Sequence, residues 1–73
     1  MAVKTIYSKE YKDILLKLKK ARIKAGLTQI DIAKLLNKPQ SFVSKIENGE
    51  RRLDIIEIRH IAKLYKINIK DLL

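Results

Sequence analysis

The stretch Gly26–Gly49, GLTQIDIAKLLNKPQSFVSKIENG, constrains this chain more than any other. It specifies two short helices joined by a tight turn. Thr28 is a good helix cap, and Asp31 falls at the reciprocal capping position three residues on. Ile32, Ala33 and Leu36 then form an apolar stripe at helical spacing. Asn37 follows, and Asn tolerates the left-handed conformation that ends a helix better than any residue except Gly. Pro39 suits the first turn of a new helix, where its missing N–H costs nothing. In that second helix Val43 and Ile46 point one way, while Gln40, Ser41, Ser44, Lys45 and Asn48 point the other.

A helix face of small polar side chains and amides suits the base edges of a DNA major groove when the protein as a whole is basic. The 73 residues carry 17 Lys and Arg against 8 acidic residues, a net charge of +9, which favours a polyanionic partner. Gln40, Ser41, Ser44 and Lys45 are the base-reading candidates. Gln pairs bidentately with adenine, Lys reaches guanine N7 or O6, and Ser is permissive. Gln29 opens the first helix of the pair, where free backbone N–H groups and the helix dipole favour a phosphate. Lys38, Arg51 and Arg52 are less specific phosphate candidates, since charged runs are commonly just solvated. Phe42 falls on the margin of its helix, either covering the core or touching a thymine methyl or a sugar, with the core weighted more heavily.

Other classes find little support. One small domain is all this length provides, and its limited core makes self-association plausible. The chain has no Cys, hence no disulfide framework, thiolate nucleophile or zinc finger. No apolar run approaches the roughly 20 residues of a membrane span, and no secretory apolar region follows the start. A cytoplasmic protein is expected. His60 is the one histidine, beside Arg59 in mid-helix, and no phosphate loop, ligand cluster or nucleophile–base arrangement accompanies it. The expectation is a non-enzyme without cofactor or metal.

The flanking segments complete an all-α pattern. Residues 1–7 lack a helical period and read as a mobile or extended tail, leaving 8–73 as the domain. Ser8 caps a first helix from Lys9 to about Ala25. Tyr11, Ile14, Leu15, Leu18, Ala21 and Ala25 form its buried stripe, and Gly26 its left-handed stop. Gly49 ends the third helix before the charged loop Glu50-Arg51-Arg52. Asp54 and Glu57 form a capping pair for a fourth helix whose apolar face is Ile55, Ile58, Ile61, Ala62 and Leu64 or Tyr65. Asn68 caps a last short helix ending at Leu72 and Leu73. The expected architecture is a compact bundle of five short helices without a sheet.

These residues in this order resemble the Cro and phage-repressor type of helix-turn-helix domain, the xenobiotic-response-element family. The similarity rests on Arg22, Gly26-Leu27-Thr28-Gln29, Ile32-Ala33, Val43-Ser44 and Glu47-Asn48-Gly49. It continues through Asp54-Ile55-Ile56-Glu57 to Asp71-Leu72-Leu73. Asn37 departs from it, standing where many members have Gly. The resemblance implies a lambda-repressor-like DNA-binding domain with the helix-turn-helix at helices 2 and 3. It also implies that Gln29 and Asn48 bind the DNA backbone, and that Arg22 and Glu47 form a structural ion pair. The C-terminal end lies beside a two-fold mate in such proteins, making Ile56, Leu72 and Leu73 the candidate dimer contacts. The expected function is a sequence-specific, double-stranded DNA-binding regulator, a homodimer on a palindromic operator. The rival is a protein-interaction module, an antitoxin or coactivator-like protein, with Leu16, Ile23 and Ile56 as its apolar surface.

Overall fold

The computed structural model describes residues 8–72. Four α-helices follow one another: α1 (Lys9–Lys24), α2 (Gln29–Leu36), α3 (Gln40–Glu47) and α4 (Ile55–Leu64). No strand occurs among the described residues. The expected fifth helix is a single 3-10 turn, Ile69–Asp71. Its hydrogen bonds close over three residues, from Asp71 N–H to Asn68 O at 2.9 Å and from Leu72 N–H to Ile69 O at 3.0 Å. Bonds that close over three residues make a 3-10 turn and not a turn of α-helix. The tail at residues 1–7 and the contact assigned to Leu73 lie outside the described residues.

Caps fix where the helices start. Ser8 Oγ accepts from the Tyr11 N–H at 3.0 Å. Thr28 and Asp31 form a reciprocal capping box at 3.0 and 2.8 Å, and Asp54 and Glu57 form another at 2.8 and 3.1 Å. Helix α3 is different: Pro39 stands just before its first residue, not in its first turn, and no side chain caps it.

All four helices end alike. Gly26, Asn37, Gly49 and Lys66 take φ of 76°, 57°, 77° and 59°. The next residue's N–H reaches back five positions in each case: Leu27 to Arg22, Lys38 to Ala33, Glu50 to Lys45 and Ile67 to Ala62, at 2.8–3.1 Å. This double-bonded ending satisfies otherwise orphaned carbonyls and turns the chain sharply. Asn37 meets it without Gly. Lys66 does so at a steric cost of about 1–2 kcal/mol.

The helices enclose one core centred on Ile32, which is fully buried. Tyr11, Leu15 and Leu18 enter from α1, Val43 and Ile46 from α3, Ile61 from α4 and Tyr65 from just beyond it. Leu53 joins them from the loop after α3, and its N–H donates to the Tyr11 hydroxyl at 3.0 Å in the interior. Three expectations need correction. Ala25 is exposed because it lies beyond the last turn of α1. Ile55 is 59 % exposed because, as the first residue after the cap, it precedes the stripe that faces the core. Leu72 is 2 % exposed and closes this chain's own core, so it leaves the set of dimer contacts.

Candidate functional site

Helix α3 is anchored by Val43 and Ile46, each at most 4 % exposed. Opposite them Gln40, Ser41 and Lys45 are exposed, Ser44 is half-buried, and Asn48 is exposed just past the helix end. The base-reading candidates thus share one outward face of a helix whose other face is locked in the core. Phe42 is half-buried and packs against the core cluster, the heavier of its two readings.

A polar network fixes this helix from within. Arg22, late in α1, meets Glu47, the last residue of α3. Its Nε donates to Oε2 at 2.6 Å and its Nη2 to Oε1 at 3.2 Å. A third donor, Nη1, reaches the Leu27 carbonyl at 2.8 Å in the turn before α2. The two side chains are only 10 % and 6 % exposed. The Glu47 hydrogen bond holds the Arg22 guanidinium above its ordinary pKa, against the opposing effect of burial. Gln29 extends the network: its Nε2 donates to Glu47 Oε1 at 2.9 Å, and its Oε1 accepts from Gln40 Nε2 at 3.4 Å. One connected set of side chains therefore joins α1, the start of α2 and both ends of α3.

The loop cations divide. Lys38 is exposed, with its ammonium 5.4 Å from the Phe42 ring centroid. Arg52 is exposed. Arg51 is paired at the surface with Glu57, its Nη1 and Nη2 donating to Oε1 and Oε2 at 3.1 and 2.9 Å. Arg51 thus differs from Arg52, the other less specific phosphate candidate of this loop, in having a carboxylate partner, while its side chain stays 37 % exposed. Glu57 was legible only as a cap, because a six-residue separation across a loop has no helical signature.

Elsewhere the surface is less specialised. Ile56 is 52 % exposed and lines a shallow groove of about 680 Å³ between α4 and the 3-10 turn, with Arg59, Lys63 and Ile67. Leu16 and Ile23 are 51 % and 59 % exposed on the outer side of α1. His60 is exposed, and the described residues contain no group of three or more potential metal ligands. No helix among them is long and apolar enough to cross a membrane.

Comparison with known proteins agrees with this geometry. A family model described as helix-turn-helix matches residues 18–72. That span runs from the middle of α1 to the residue after the 3-10 turn, and includes the whole of α2 and α3. A search of the curated proteins gives no match.

Proposed function

The chain belongs to the helix-turn-helix family of the Cro and phage-repressor type, a family of DNA-binding domains, and from that premise we propose that it is a sequence-specific transcriptional regulator. In this reading α3 enters the major groove of double-stranded DNA. Gln40, Ser41, Ser44 and Lys45 read base edges, while Gln29, Lys38, Asn48 and Arg52 hold the phosphates. The observation that carries it is the two-sidedness of α3: an outer face of amides, hydroxyls and one ammonium on a helix whose inner face and C-terminal end are tied down. Exposed polar side chains on a fixed frame are what discrimination between bases requires.

One such module offers little contact area. We therefore extend the proposal to a symmetric homodimer on a palindromic operator, with half-sites about one helical turn, roughly 34 Å, apart. Ile56 is the supporting feature, an exposed apolar side chain beside a groove near the C-terminal end. Leu73 stays in this proposal as a second contact. A cytoplasmic location is part of this proposal.

A protein-interaction role is the second reading, supported by the exposed Leu16 and Ile23 on the outer side of α1. Selection from a random DNA pool, followed by competition at near-physiological salt, separates the two. The regulator reading expects an enriched site that equimolar random DNA does not displace. Random DNA that displaces it equally well would leave only charge-driven binding.

A further inference from the structure

The flank of α3 carries a cluster that base reading and phosphate binding leave unused. The Arg51 guanidinium carbon lies 4.4 Å from the Phe42 ring centroid, within the roughly 6 Å over which an aromatic face attracts a cation. The same guanidinium is forked onto Glu57, and its Nη1 also donates to the Arg52 carbonyl at 3.0 Å. Glu57 in turn belongs to the capping box that starts α4. A continuous path thus runs from a ring on α3, through a planar cation in the loop, to the first turn of α4. On its other side the loop is held by the Leu53–Tyr11 hydrogen bond.

A loop arginine in a +9 protein is ordinarily free to meet a polyanion. Here a carboxylate forks onto it and a ring face lies along one side of it, although the side chain stays partly exposed. Resting on the reading of α3 as the DNA-reading helix, we propose that Phe42, Arg51 and Glu57 are positioning residues for sequence discrimination. They fix the angle of α3 against α4 and hold the Arg52 backbone, so that the side chains of α3 meet the bases in a single register. Arg51 does not bind phosphate in this arrangement. Readout by hydrogen bonds tolerates misplacement of only about 0.5 Å, so loosening the flank of α3 degrades discrimination before it degrades attraction.

The proposal reverses the sign of a simple charge argument. If Arg51 were a phosphate contact held back by Glu57, Glu57→Gln would free a cation and remove an anion, and affinity would rise for every sequence. If the cluster positions α3, Glu57→Gln lowers the preference for the selected site. Arg51→Lys is the complementary variant, since it keeps the charge but loses the fork and the planar stack. Phe42→Leu removes the ring face, and Phe42→Tyr restores it.

The test is equilibrium binding of the full chain to the selected site and to a random duplex of equal length. Each variant is held at a temperature where its helical circular dichroism matches wild type. Glu57→Gln, Arg51→Lys and Phe42→Leu are expected to cut the ratio of selected to random affinity by about fivefold or more, the low end of one misaligned base contact. Random-DNA affinity should be unchanged or higher, and Phe42→Tyr should keep the wild-type ratio. Glu57→Gln raising both affinities alike at a constant ratio overturns the proposal and makes Arg51 a phosphate contact. A wild type that discriminates, with all variants discriminating equally, overturns the cluster's role alone. A wild type that shows no discrimination overturns that role together with the DNA-reading function beneath it.

Discussion

Replacing Arg22 by Met tests how the DNA-reading helix is held. The change strips Glu47 of both guanidinium bonds and leaves its carboxylate, on a side chain 6 % exposed, with the Gln29 amide as the remaining partner described above. An uncompensated buried charge of this kind costs about 3–5 kcal/mol. The Leu27 carbonyl also loses its donor, for about 1 kcal/mol more. A domain of this size has a total stability of about 4–11 kcal/mol, so the single variant sits at the edge of unfolding. Glu47→Leu is comparably harmful, because it strands the guanidinium. The double variant Arg22→Met/Glu47→Leu removes both charges and refills their volume, which is often neutral or favourable. It should lie within about 2 kcal/mol of wild type, giving a coupling of at least about 4 kcal/mol. Urea unfolding followed at 222 nm measures the cycle, with an excluded osmolyte keeping the single variants in range. Additivity within about 0.5 kcal/mol would refute the reasoning and reduce the pair to independent surface charges.

Other consequences are equally accessible. Gln40→Ala and Lys45→Ala should each lose about 1–3 kcal/mol on the selected site while random DNA is bound almost as before, whereas Asn48→Ala should weaken both alike; parallel titrations decide this. Gln29→Ala should do both, because the Gln29 amide also steadies Gln40. Ile56→Glu should leave the helical content intact, split the dimer in sedimentation, and weaken palindrome binding far more than half-site binding; a wild type that stays monomeric with and without DNA refutes the dimer. Burial raises the Tyr65 phenol from 10.0 to about 12, with the Glu47 carboxylate adding to the shift and Arg22 opposing it. Because the folded value is the raised one, this contribution to stability is whole below pH 10 and is lost as pH climbs through 12. Absorbance at 295 nm should show a phenolate step near pH 12 that Tyr65→Phe removes; if the step that Tyr65→Phe removes lies near pH 10 instead, the raised value is contradicted.

Local signals and long-range ones differ sharply in how legible they were. Ser8, Thr28 and Asp54 marked helix starts, and Gly26, Asn37 and Gly49 marked stops, because caps act within a few residues of themselves. The inward faces of α2 and α3 followed from helical spacing for the same reason. Ile55 was misplaced because apolar spacing does not say where along a helix burial begins. Lys66 gave no warning of its left-handed backbone, since Lys has no preference for it and the surrounding fold imposes it. The Arg51–Glu57 pair and the Tyr11–Leu53 bond depend on pieces brought together only by the complete fold, the latter across 42 positions. The Arg22–Glu47 pair spans 25 positions, and only the family resemblance suggested it beforehand.

The central claim is that α3 reads base edges in the major groove, and atomic substitution in the DNA tests it most directly. Each purine of the selected site is replaced in turn by its 7-deaza analogue, which deletes the N7 acceptor and leaves Watson–Crick pairing intact. Wild-type protein should lose about 5- to 150-fold in affinity at one or more purines, the equivalent of one bidentate contact. At one such purine Gln40→Ala or Lys45→Ala should show no further loss, because the side chain that used the acceptor is gone. A selected site whose purines can all be replaced without effect would contradict the account.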